Sequence, residues 1–393
     1  MRLPFFVTQS SIKNHGKDHG RAHGLDTLRS LAILSVILFH VNAYHGEGTL
    51  PDLLVPVARL GWMGVDLFFV LSGYLIGSQL FRPYLAGEHP GPWSFYRNRL
   101  FRVLPAYFVV LALYYVFPAW SEDPGHMAPL WEYVTFTFNL FVDYSVYQAF
   151  SHVWSLCVEE HFYLLLPLIV LAMMRKPSFK KTAALLAGLV LFGICIRAYF
   201  LFHVLQPLDN ADHSFGVAYI ERIYYPTYSR VDGLLAGVTL ALIKTFRPVW
   251  WNALARRGHT LLCVGAALVG LAIYLFKDRW ESVDGAAAVG VAIGFPLLAL
   301  GLGMLVASSL SFNGWLRFKV PGATLIATLA YSLYLTQKEV IHLVDLCFPA
   351  IANAGMVPWL ALYAACSLAV AAALYLCVER PFLILRDRRT TSN

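Results

Sequence analysis

Charge is what this chain has least of. Asp, Glu, Lys and Arg make up 13% of 393 residues, about half the ~25% usual in a soluble domain. Hydrophobic residues reach 58% and mean hydropathy is +0.60, well above the roughly 45–50% apolar content of soluble domains. Water is therefore excluded as the solvent for most of the chain, which is expected to live in lipid. The length prior of two or three soluble domains lapses for the same reason. Cysteine is sparse too. The six residues Cys157, Cys195, Cys263, Cys347, Cys366 and Cys377 are scattered through apolar segments, with no C-x-x-C pair. That argues against a disulfide framework or a zinc site, and they read as small buried hydrophobes. A secretory leader is not expected either. Residues 1–24 are polar and no A-x-A site follows the first apolar run, so that run should persist as a membrane helix.

Crossing a bilayer takes about 17–25 apolar residues. Ten stretches qualify, at residues 26–44, 62–81, 100–118, 153–174, 183–203, 229–246, 259–276, 286–308, 323–346 and 356–377. The fourth and ninth carry several polar groups. An all-α integral membrane protein with about ten transmembrane helices is predicted. The net charge of +7 fits basic cytoplasmic loops better than a nucleic-acid partner. With the N-terminus inside, the inside segments hold 21 Lys and Arg and the outside loops hold 4. This positive-inside split predicts that both termini are cytoplasmic. Residues 1–24 should be a disordered tail, 25–383 the membrane domain, and 384–393 a basic cytosolic tail. In the first tail, His15, His19 and His23 recur every four residues, each followed by Gly. The glycines disfavour the helix that would align three imidazoles, so no metal is predicted.

The outside loop 119–152 is aromatic rather than charged. It should lie along the membrane interface, where Trp and Tyr are favoured, or fold back over a site.

Polar groups inside spans are costly, so they tend to face a cavity and work. Arg29 and His40 are eleven residues apart. On a helix that is roughly 16 Å and three turns plus about 20°, so both leave one face. Arg29 falls at the cytoplasmic end and His40 in the outer half. Asp66 stands alone near the outer end of the second span, where it could hold His40 in one tautomer. Ser72 and Gly73 lie mid-span, where small residues allow close helix contact. Arg97, Arg99 and Arg102 cluster at a cytoplasmic helix start and suit either anionic lipid or a phosphate-rich cofactor. The densest polar group is His152, Ser155, Glu159, Glu160, His161 and Tyr163, at the outer entrance of the fourth span. Two adjacent carboxylates there need partners, which favours a site over simple anchoring. Arg230 and Asp232 open the sixth span, and close ion-pair partners would make them structural.

Seven motifs occur in one order: GLDTLRSLAILSVILFH, GVDLFFVLSGYLIG, FYRNRLFRVLPAYF, HVWSLCVEEHFYLLLPL, SRVDGLLAG, YSLYLTQ and VERPF. Together they resemble the membrane-bound acyltransferase 3 family over about residues 24–383. The resemblance implies a bacterial inner-membrane enzyme that moves an acyl group, commonly acetyl from cytosolic acetyl-CoA, to a hydroxyl of an extracytoplasmic glycan or glycolipid. Two departures stand out. His161 replaces a usual Gln, and Gln337 replaces a frequent His, so no acid/base role is carried onto Gln337. Some relatives carry a fused C-terminal hydrolase-like domain, and its function here is expected from a separate extracytoplasmic partner if one is needed.

Acyl transfer to an alcohol needs a base, a shared cavity and donors for the oxyanion. His40 is the expected base, with Glu160 assisting and Asp66 orienting. Arg29, Arg97, Arg99 and Arg102 are expected on the phosphates of the acyl-CoA, with Ser72 near the acyl end as the one evident nucleophile. The acceptor is expected near His152, Trp154, Glu159, Tyr163, Arg230 and Asp232. A secondary transporter or glycan flippase is the competing class. A transporter would favour an internal repeat, and none is clear between the halves.

Overall fold

The computed structural model describes residues 23–46, 50–88, 91–117, 126–208, 214–277, 285–353 and 355–391. The His15 and His19 positions, and with them the N-terminal tail, lie outside the described residues. Every regular element described is a helix. Ten long helices organise the chain: α1 (His23–His45), α2 (Met63–Leu85), α3 (Pro92–Val116), α4 (Trp154–Arg175), α5 (Phe179–Phe200), α6 (Asp232–Phe246), α7 (Gly258–Leu275), α8 (Phe295–Ser309), α9 (Ala323–Cys347) and α10 (Met356–Leu374). A π-turn at Tyr375–Glu379 joins α10 to α11 (Arg380–Thr391).

Eight of these segments are long and apolar enough to cross a membrane. The two expected spans that do not qualify are α6 and α9. Helix α6 has 15 residues, about 22 Å at 1.5 Å per residue, short of a ~30 Å hydrocarbon core. Helix α9 has 25 residues, but Ser332, Thr336, Gln337, Lys338 and Glu339 interrupt its apolar character. Both helices sit inside the bundle, against α2 for the short α6 and between α1 and α10 for the polar α9. Their protein neighbours take the place of lipid, which is why one can be short and the other can carry polar residues.

The bundle has a buried spine and a lipid-facing rim. In α2, 72% of the apolar window is buried inside the protein, against 17% for the span containing α5 and 17% for that containing α10. Helices α2 and α6 form the closest pair. A Cβ on Gly73 would overlap the Leu234 carbonyl oxygen, and one on Gly237 would overlap the Val70 carbonyl oxygen. Two backbones thus meet with no side chain between them, the small-residue packing that membrane helices use. Gly237→Val is expected to force the pair apart and cost about 1–3 kcal/mol or more of stability. A thermal melt of the detergent-solubilised variant that matched the parent would refute this.

The aromatic loop, described from residue 126, does fold back. Its short helix Leu130–Val134 is tied to α3, where the Tyr107 hydroxyl donates to the Tyr133 carbonyl oxygen at 3.0 Å, and its short helix Phe138–Phe141 packs on α4. Phe136 adopts a left-handed φ of 57°, costly for a bulky residue, and its ring stacks on Tyr107 at 4.7 Å. The side-chain amide of Asn139 donates to the Tyr225 carbonyl oxygen and to Thr227 Oγ1. Burial pushes the Glu132 carboxyl above its ordinary value. The outward face keeps Leu130, Trp131, Val134 and Phe141 exposed, a surface suited to the lipid interface.

The basic segment expected after residue 383 is helical. It continues α10 through the π-turn, and α11 packs against α3, with Phe382 beside Phe101.

Candidate active site

A cavity of about 360 Å³ lies between α1, α2, α3, α4, α9 and α11. Along α2 its wall runs from Val65 to Gln79, about 21 Å of helix at 1.5 Å per residue. Arg29, Arg99, Arg102 and Arg386 bring four cations to it. Glu159, Glu160, Ser72 and Tyr163 bring the carboxylates and hydroxyls.

The polar groups are interlocked. Ser72 donates to Glu159 Oε1 at 3.0 Å and Tyr163 donates to Glu159 Oε2 at 2.7 Å. Arg99 lies 3.5 Å from Glu160 Oε1, and its guanidinium sits 4.0 Å above the Tyr163 ring. The two adjacent carboxylates on the first turns of α4 are thereby each given a partner, which meets the cost of placing them inside the bundle. Of the cations expected on the cofactor, Arg97 is not among the residues that line the cavity. Arg99 and Arg102 are three residues apart and share a helix face with each other. Arg97, two residues before Arg99, points elsewhere.

His40 lies beyond the cavity rather than in its wall. It is half-buried, and its Nδ1 is 3.3 Å from Gln337 Oε1. A carbonyl oxygen can only accept, so Nδ1 carries the hydrogen and Nε2 keeps its lone pair. The amide nitrogen of Gln337 donates to the Tyr334 carbonyl oxygen at 3.4 Å, which fixes the amide orientation. The residue that tunes His40 is thus Gln337, to which sequence reasoning assigned no role. Asp66 is committed elsewhere.

Between His40 and the cavity stands one layer of side chains. The His152 ring lies 6.3 Å from the His40 ring and 5.5 Å from that of Tyr334. The Tyr334 hydroxyl donates to the His152 carbonyl oxygen at 2.5 Å and accepts from Ser155 at 2.6 Å. Tyr334 and Ser155 line the cavity on their other side. His152 is 3% exposed, and among the described residues neither ring nitrogen has a hydrogen-bond partner.

Four expected site residues, Asp66, Trp154, Arg230 and Asp232, are not among those that line the cavity. Asp66 binds Arg230 at 3.1 Å. Its height in the membrane suited His40, but its direction around α2 turns it toward α6. Arg230 is 2% exposed and packed among Phe295, Tyr224 and Trp154, at 3.9, 4.7 and 5.4 Å from its guanidinium carbon. Trp154 is stacked flat on Tyr225. Asp232 pairs with Arg197, fully buried on α5, at 2.7 Å. Arg197 also donates to the Ser229 and Ala292 carbonyl oxygens. Ion pairs of this kind hold α2, α5 and α6 together and leave no exposed charge for an acceptor. Among the described residues no group of His, Cys, Asp and Glu is arranged to hold a metal ion.

Buried helices around a charged chamber, enclosed by a rim of apolar spans, define a multi-pass membrane protein with an internal binding site. Residues 22–378 match the family described as "Acyltransferase domain", and the chain belongs to that family. SACOL0978, a provisionally named O-acetyltransferase of Staphylococcus aureus strain COL, is 28% identical over 340 residues. The O-acetyltransferase OatA of Staphylococcus aureus strain NCTC 8325 / PS 47 is 27% identical over 342 residues. Each alignment takes in 82% of this chain and 51% of the relative, so the chain spans about half the length of these curated relatives. No solved structure matches it.

Proposed function

We propose that this acyltransferase is an O-acetyltransferase of a bacterial inner membrane, moving acetyl from cytosolic acetyl-CoA to a hydroxyl of an extracytoplasmic glycan or glycolipid. The observation that carries the reading is the arginine-lined cavity that ends one side-chain layer short of His40. Phosphates suit the arginine end, because a guanidinium grips them bidentately. The membrane domain is residues 25–383 with ten spans and both termini inside. The 21-to-4 charge split supports that orientation, and α6 and α9 supply the two internal spans.

In this reading Arg29, Arg99 and Arg102 hold the donor phosphates while the thioester reaches past Ser72 toward Tyr334 and Ser155. His40 Nε2 takes the acceptor's proton as its oxygen attacks the thioester carbon. The C–S bond breaks, the C–O bond forms, and the proton passes to the coenzyme A thiolate. Glu160 and Glu159 fix Arg99 and Ser72 in place. His152 presents its ring beside His40, where an acceptor from outside would meet it.

The test is turnover by purified full-length protein given acetyl-CoA and a panel of glycans. Ester formation on a glycan hydroxyl with release of one thiol is expected. Arg29→Ala should raise the KM for acetyl-CoA about tenfold or more, the effect of losing a charged hydrogen bond, with the KM for the acceptor unchanged. Glycan passage across vesicles without thiol release would overturn the reading.

A further inference from the structure

The cavity contains a cation that the family match does not cover. The match ends at residue 378, yet Arg386 lines the same chamber as Arg29, Arg99 and Arg102. Its depth follows from the helix. Glu379 is anchored by Ser332 of α9 at 3.1 Å. Arg386 is seven residues further along α11, about 10 Å nearer the end where α9 begins. Tyr334 and Ser155 mark the opposite end of the chamber. Arg386 therefore lies toward the end of the chamber where α9 begins, opposite Tyr334 and Ser155, on a helix clamped to α3 through Phe382 and Phe101. Asp387 holds its guanidinium at 2.8 Å.

Resting on the donor reading above, we propose that Arg386 is a specificity residue that recognises the terminal 3′-phosphate of coenzyme A. The donor carries its diphosphate between pantetheine and ribose, and a separate phosphomonoester on the ribose at the far end. A monoester bears about −1.5 to −2 charge at neutral pH. With the thioester at Tyr334, the far end of the donor falls at the end of the chamber where α9 begins, and there Arg386, on a helix of its own, meets the monoester while Arg99 and Arg102 fall along the diphosphate.

The experiment compares acetyl-CoA with acetyl-3′-dephospho-CoA, which lacks only that phosphate. Kinetics are measured on the full-length parent and on Arg386→Ala, Arg386→Lys and Arg29→Ala, with binding of coenzyme A and 3′-dephospho-CoA measured alongside. The parent is expected to favour acetyl-CoA in KM by about tenfold or more. Arg386→Ala should lose that preference with kcat within about twofold, and Arg386→Lys should recover part of it. Arg29→Ala should weaken both donors equally. If Arg386→Ala keeps the parent's preference, or lowers kcat for both donors alike, the assignment is wrong while the donor reading stands. If the parent neither binds nor turns over either donor, the donor reading itself fails.

Discussion

Replacing His40 with alanine is expected to lower acetyl transfer about a hundred- to ten-thousand-fold, the range for losing a general base. The bonded pair explains why one atom matters so much. Gln337 pins the hydrogen on Nδ1, so every neutral His40 presents its lone pair at Nε2. Truncation leaves the Oε1 of the buried Gln337 without its partner, at a cost of about 1–3 kcal/mol, so the variant should insert but melt somewhat below the parent. Single-turnover transfer, measured with membrane yield and melting temperature, separates the two effects. Near-normal transfer would remove His40 from the chemistry. A fall in melting temperature large enough to account for the loss would make it structural.

The second large effect concerns folding. Asp232→Ala should destabilise the protein by about 3–5 kcal/mol, the cost of stranding a buried charge. Arg197 would keep its two carbonyl partners but lose its counter-ion, at a site with no exposure to water. Little monodisperse protein should be recovered from the membrane. Pairing the change with Arg197→Leu should restore much of the yield, since removing both charges removes the desolvation cost. A single variant as stable as the parent, or a double variant no better than the single, would contradict this account.

Much of the architecture could be read from residue order. Helical spans announce themselves through apolar runs of about twenty. Arg29, Arg99 and Arg102, expected at the cytoplasmic end, and Glu159, Glu160 and Tyr163, expected at the outer entrance, instead line one chamber together. The failures have one cause. Linear spacing gives a side chain its depth and its face on its own helix, but not which helix stands opposite. Asp66 and His40 have compatible depths and face different neighbours. Arg197 sits in a plain apolar run, LFGICIRAYF, where a lone Arg looks like an anchor. Its partner is 35 residues away. Arg386 looked like tail charge because a polar segment after a span usually leaves the membrane. A helix that simply continues gives no local sign of doing so. Gln337 was discounted for being unable to titrate, yet its amide orients a group that can.

The layer formed by Tyr334, Ser155 and His152 has an electrical consequence. An enzyme reached by one substrate from each side of a membrane is a wire unless something interrupts it. Each elementary charge that slips across gains about 2.3 kcal/mol per 100 mV, so even a narrow aqueous thread would drain the cell's battery. A phenol and a hydroxyl bonded to each other and to backbone, backed by a ring packed among aromatics, occupy the spot where such a thread would close the circuit. If transfer runs as proposed, insulation one side chain thick would let an acetyl group be handed across while keeping the voltage.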